Sequence, residues 1–179
     1  MKQLFLLTAL LFLIPVNAAP ATNIYDVEVL VFENRIPELE GGELWTTNRN
    51  RAPMPEPSTM PPLGAAVGDM TLKTAAAALE RNGQYRVLVH QRWRQVAEEK
   101  SASKPMWLRN ADGQMEGSFR FYMSRFLHVD LDLVLRDNGD AAGVNYRLAE
   151  HRRVKSQDLL YFDHPKFGVL VRITQAGKG

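Results

Sequence analysis

From Met115 to Leu135 the chain alternates with one parity: Met115, Phe119, Phe121, Met123, Leu127, Val129, Leu131, Leu133 and Leu135 are apolar, and only Gly117 and Arg125 interrupt the odd positions. A period of two places those side chains on one face of a β-sheet, whereas a helix would scatter them around its circumference. A face so long and so apolar has to be covered, so a packed β structure is required. The unbroken parity favours one long curved strand, or two strands separated by a bulge near Ser124-Arg125. A tight hairpin there is disfavoured, because no Gly, Asn or Pro occupies the site.

Other strands follow the same signal. Tyr25, Val27, Val29 and Val31 alternate with Asp26 and Glu28 in an opening strand. Tyr85 to Gln95 reads as a long strand with Tyr85, Val87, Val89 and Trp93 on one face and Arg86, Leu88, His90, Arg92 and Arg94 on the other. Asp137-Asn138-Gly139-Asp140 is a turn signal leading back into a strand over Asn145 to Val154. Pairing Tyr146 and Leu148 with Leu133 and Leu131 places Asp132 opposite Arg147 and His128 opposite His151. Leu159 to Phe162 and Phe167 to Thr174 supply two short strands around a His164-Pro165 bend, and residues 96–114 read as a polar connection. One helix is predicted over Leu72 to Asn82. Thr71 is its N-cap, Leu72, Ala75, Ala76 and Leu79 form its apolar stripe, and Gly83 is its left-handed stop. Between Asn34 and Asp69 six prolines and no sustained period mark a long surface excursion. The fold class is α+β: a mainly antiparallel, twisted sheet of five to six strands with one helix packed on it.

Met1-Lys2-Gln3, an eleven-residue apolar run from Leu4 to Ile14 and the small residues up to Ala21 read as a cleavable secretory signal, with cleavage after Ala18. Residues 19–179 then form a single domain, exported to the periplasm. The apolar run is too short to span a bilayer, and no later stretch could, so no membrane span is expected. With no cysteine in the chain, neither disulfides nor thiol chemistry contribute. Formal net charge is +2, unevenly spread: residues 20–70 hold eight acids and three bases, residues 81–109 seven bases and two acids. The basic stretch, with Arg86, Arg92, Arg94, Lys100, Lys104 and Arg109, suits either an anionic partner or a solvated face. Export argues against nucleic acid as that partner.

Candidate chemistry is sparse. His128, Asp130 and Asp132 share one strand face, which fits cross-strand ion pairing with Arg147 better than metal binding or acid–base work. Trp93 is either a core residue or a flat platform for a sugar ring, with His90, Arg92 and Arg94 nearby. Arg152, Arg153, Tyr161, Asp163 and His164 cluster around the last bend. They either present planar donors to glycan hydroxyls, or Asp163 caps the bend and fixes Arg152 or Arg153. No Gly-x-Ser-x-Gly elbow, His-Glu-x-x-His helix, phosphate loop or dinucleotide fingerprint is present, so no enzyme, cofactor or metal is expected.

Four blocks carry a resemblance: Tyr25 to Glu33, Tyr85 to Gln95, Arg125 to Leu133, and the closing segment from His151 through the Asp163-His164-Pro165 turn to Val171. In this order the chain resembles the CsiV family, cell-envelope proteins of Gram-negative bacteria that bind the glycan of peptidoglycan. The resemblance implies a non-catalytic periplasmic protein supporting envelope integrity, cell shape and cell division, with peptidoglycan glycan strands as partner. Candidate glycan-contacting residues are His90, Arg92, Trp93, His128, Arg152, Arg153, Tyr161, Asp163 and His164. The alternative is an adaptor or assembly factor binding another envelope or divisome protein through the Pro-rich segment and a sheet edge.

Overall fold

The computed structural model describes residues 23–36, 68–136 and 145–177. The proposed signal segment, most of the Pro-rich stretch and the Asp137–Asp140 turn lie outside the described residues. Within them the chain is mostly antiparallel β with one short helix: β1 (Ile24–Asn34), α1 (Lys73–Arg81), β2 (Tyr85–Val96), β3 (Met106–Arg109), β4 (Met115–Met123), β5 (Leu127–Arg136), β6 (Asn145–Val154), β7 (Leu159–His164) and β8 (Phe167–Gln175). The strands form two four-stranded sheets, ordered β2-β1-β8-β7 and β3-β4-β5-β6. The expected single sheet of five to six strands is thus replaced by a sandwich of eight described strands.

The inner faces meet in one core. From the first sheet come Val27, Val29, Val31, Trp93, Val169, Val171 and Ile173, and from the second Phe119, Phe121, Val129, Leu131 and Leu133. Tyr25 meets Phe121 edge-on at 5.3 Å, and Trp93 meets Phe119 at 5.5 Å. Polar groups between the sheets are satisfied: the Trp93 indole donates to Gln95 Oε1 at 2.6 Å, and Gln95 Nε2 donates to the Phe121 carbonyl at 3.1 Å.

Three local expectations change. Met123 pairs with Leu127, so Ser124-Arg125-Phe126 is a tight hairpin turn after all. A three-residue loop keeps the parity of the flanking strands, which is why hairpin and continuous strand look alike in the sequence. The β5–β6 register is offset by two: Leu133 pairs with Leu148, Leu135 with Tyr146, Asp130 with His151 and His128 with Arg153. A shift of two leaves every side chain on its expected face. Residues 96–114 are not all connection, since β3 adds an edge strand to β4.

The helix start also differs. Leu72 occupies the cap position without a side-chain bond. Instead Glu28, on the outward face of β1, accepts from the Thr71 amide at 2.7 Å, the Thr71 hydroxyl at 2.6 Å and the Leu72 amide at 2.9 Å. A carboxylate at a helix N-terminus satisfies free amide donors and suits the helix dipole. At the other end Gly83 is not left-handed, and the Asn82 amide closes the last turn onto the Leu79 carbonyl.

Candidate functional site

The outward face of the first sheet carries a groove between the end of α1 and the β7–β8 hairpin. Its origin is a bulge: Val31 pairs with Val89 but Phe32 with Val87, so Leu88 is the extra residue. Leu88 packs on the core, and the residues before it change face. Tyr85 and Val87 therefore leave the face expected for them, and the Tyr85 ring meets Phe32 edge-on at 5.6 Å on the outside. Phe32, Gly168 and Asp163 stand in one row across β1, β8 and β7.

Gly168 is what opens the row. A Cβ there would lie 2.5 Å from Phe32 Cζ and 2.8 Å from Tyr161 Cε2, so any side chain displaces both rings. Without it, Tyr161 lies parallel to Phe32, with centroids 6.3 Å apart and planes at 8°. The groove, about 340 Å³, is walled by Leu79 and Pro165 and reaches Asn34. Tyr161 is 46% exposed and donates its hydroxyl to Asp163 Oδ1 at 2.6 Å. Burial and the adjacent carboxylate push the phenol well above its ordinary pKa, so it stays a neutral donor. An aromatic surface beside a carboxylate and an amide, in a concave setting, can take the apolar face of a pyranose while binding its hydroxyls.

The nine sequence candidates fall in different places. Tyr161, Asp163 and His164 line this groove, the first two from its open face. His164 points to the core face, 6% exposed, with its ring 5.0 Å from Phe167, and its Nδ1 accepts from the Lys166 amide at 3.1 Å. Burial lowers its pKa and keeps it neutral. Arg152 donates to the Tyr161 carbonyl at 2.5 Å and to Glu150 at 2.9 Å, linking the β6 and β7 edges. Asp163 is paired with Tyr161, not with Arg152 or Arg153, so the bend is not fixed as expected. Trp93, 1% exposed, is a core residue and offers no open ring face.

His90 and Arg92 hold the sheet and helix together. His90 Nε2 lies 2.8 Å from Glu28 Oε1, while Arg92 and Arg94 bond Asp26 at 3.2 and 2.7 Å. Burial alone would raise the Glu28 carboxyl, but the bonds from Thr71, Leu72 and His90 outweigh it and hold the group below its usual range. Arg86 likewise pairs with Glu33 at 3.0 Å. The arginines that made residues 81–109 look basic are therefore largely matched by the acids of β1. A second groove of about 390 Å³ at the β2 edge is lined by His90, Arg92, Trp93, Met70 and Trp107.

His128 and Arg153 lie on the outer face of the second sheet. There Tyr122, His128 and His151 stack in a row, with adjacent centroids 5.1 and 5.2 Å apart. Beneath them Asp130 bonds Arg120 at 2.6 Å and His151 Nδ1 at 2.6 Å. Burial would raise the Asp130 carboxyl, but these partners bring it below the ordinary value. Burial and the neighbouring His151 lower His128. Arg147 reaches Asp132 at 2.7 Å, the ion pair expected on this face.

A family model described as "Peptidoglycan-binding protein, CsiV" matches residues 3–176, almost the whole chain. The chain belongs to the CsiV family. No curated protein and no solved structure matches it. Among the described residues of this CsiV member, no helix is long and apolar enough to cross a membrane, and no group of acids and histidines is arranged to hold a metal ion.

Sequence reasoning missed Phe32, Tyr85, Asn34 and Gly168. One signal was available for Phe32: the unbroken apolar run Val29 to Phe32 marks a strand buried on both faces, so the outward Leu30 and Phe32 need a cover or a ligand. The bulge that turns Tyr85 outward left no local mark.

Proposed function

We propose that this chain is a non-catalytic peptidoglycan-binding protein of the periplasm, that it holds glycan strands in the Phe32–Tyr161–Asp163 groove, and that it supports envelope integrity and cell division. The observation that carries the reading is the half-exposed Tyr161 ring, held flat over Gly168 and edged by Asp163, in a member of a peptidoglycan-binding family. The ring supplies stacking area, and the second Asp163 oxygen, which has no hydrogen-bond partner among the described residues, supplies an acceptor for hydroxyl and amide groups. Asp163 is the one carboxylate among the described residues lining the groove. Glycoside hydrolysis by paired carboxylates needs two, so binding without cleavage is the better fit.

The test is co-sedimentation with sacculi stripped of associated protein. Retention by the native chain, lowered by Tyr161→Ala and Asp163→Ala with unchanged thermal midpoints, supports the reading. Loss of retention once envelope proteins are stripped away contradicts it, and release of soluble sugar fragments contradicts its non-catalytic part.

A further inference from the structure

The β4–β5 turn holds two cations around an exposed ring. Phe126 is 43% exposed, with the guanidinium of Arg153 4.6 Å and that of Arg125 5.4 Å from its centroid. Neither arginine has a carboxylate partner among the described residues, in contrast to Arg86, Arg92, Arg94, Arg120, Arg136 and Arg147, each of which has one. Lys100, 57% exposed, adds charge on the same face. Its Nζ is 3.9 Å from Asp130, whose charge Arg120 already engages. The acids flanking Lys100 in the chain, Glu98 and Glu99, form no ion pair with Arg125 or Arg153. Like charges gathered on one ring and left unmatched repel, and a bound anion relieves that repulsion. A guanidinium lying against a ring keeps its N–H edge free for bidentate bonding to a carboxylate.

We infer that the Arg125–Phe126–Arg153 tip recognises the carboxylates of peptidoglycan stem peptides, an inference that rests on the peptidoglycan-binding reading above. The tip is on the outer face of the second sheet and the glycan groove is on the outer face of the first, so the two sites address different parts of the polymer from opposite sides of the sandwich. Phe126 provides an apolar contact for a small side chain beside the carboxylate. A membrane surface fits less well, because interfacial binding needs a broad apolar face, whereas the exposed Phe126 ring belongs to a turn completed by Ser124 and Arg125 and is flanked by the Arg153 guanidinium.

The experiment compares native protein and the Arg125→Gln/Arg153→Gln double variant on intact sacculi and on glycan strands freed of stems by amidase digestion, with the lactyl carboxylates that the digestion exposes capped as methylamides. Loss of two solvent-exposed charge contacts should lower affinity for intact sacculi about ten-fold, with no change on stem-free glycan and an unchanged thermal midpoint. Equal binding of both proteins to intact sacculi overturns the inference while leaving the glycan groove standing. Equal loss on both preparations also overturns it, since the tip would then touch glycan. Binding to phosphatidylglycerol vesicles that the double variant abolishes, with sacculus retention unaffected, overturns it in favour of a membrane surface. Native protein that binds neither preparation overturns the groove and the tip together.

Discussion

The two outer faces of the sandwich use charge in opposite ways. On the first sheet Asp26 and Glu28 are almost fully buried, and Arg92, Arg94, His90 and the start of α1 converge on them. Charge there is internal to the fold, and what remains open is an aromatic groove with one carboxylate. On the second sheet Asp130 is matched in the same manner, but the face ends at a turn where Arg125 and the neighbouring Arg153 have no carboxylate partner among the described residues. Basic residues in a sequence thus say little about a partner until their carboxylates are found.

The largest test of this contrast is Glu28→Ala. It strands the Thr71 and Leu72 amides and His90 under the helix, and should destabilise the protein by about 3 kcal/mol in chemical denaturation. A change under about 1 kcal/mol would mean that water replaces the carboxylate and that α1 is not held from β1. Gly168→Ala comes next. With no room for a Cβ, overpacking should cost about 2 kcal/mol and displace Tyr161, so sacculus retention falls as well. Stability lost without any loss of retention would move the ligand elsewhere.

Acidity is a milder probe. His128 and His164 are lowered from 6.5, Asp130 from 3.8 and Glu28 from 4.5. For each, the unfolded chain binds the proton more readily than the folded one, so stability is full above the ordinary value and is lost as pH falls through the lowered one. The thermal midpoint should hold from neutral pH to about 6.5, decline gently as the histidines titrate, and fall again below about 4.5. A midpoint that rises on acidification would contradict the assignments.

The smallest effect concerns Arg153 and Asp163, which the sequence suggested were partners at the last bend. On opposite faces of the sandwich they should not couple: single losses within about 0.5 kcal/mol each should add to within about 0.5 kcal/mol in a double-mutant cycle. Coupling above 1 kcal/mol would require a contact the fold does not contain.

Much of the β structure was legible, because period-two patterning reports which face of a strand is buried. The core faces of β4 and β5, the opening strand and the closing strands follow from it directly, and the helix follows from the helical spacing of Leu72, Ala75, Ala76 and Leu79. What was hidden depends on pairing at long range. The joining of β1 to β8 brings the first and last described strands together, and Glu28 caps a helix 43 residues away. Neither leaves a local trace. The turn at Ser124 to Phe126 preserved parity and so resembled a continuous strand, and the extra Leu88 moved Tyr85 into the groove without altering the pattern. Of the site itself, Tyr161 and Asp163 stood out as polar residues in a short strand. Phe32 and Gly168 had no reason to do so until the sheet placed them opposite each other.

The central claim, that glycan lies over Tyr161 and Gly168, is tested most directly by titrating isotopically labelled protein with N-acetylated, stem-free peptidoglycan oligosaccharide whose lactyl carboxylates are capped as methylamides and mapping backbone amide shifts. The account predicts saturable changes concentrated at Phe32, Tyr161, Asp163 and Gly168, with the Arg125 to Phe126 turn unaffected. Shifts confined to the second sheet or to the His90 to Trp93 edge, or no shifts at all, would contradict it.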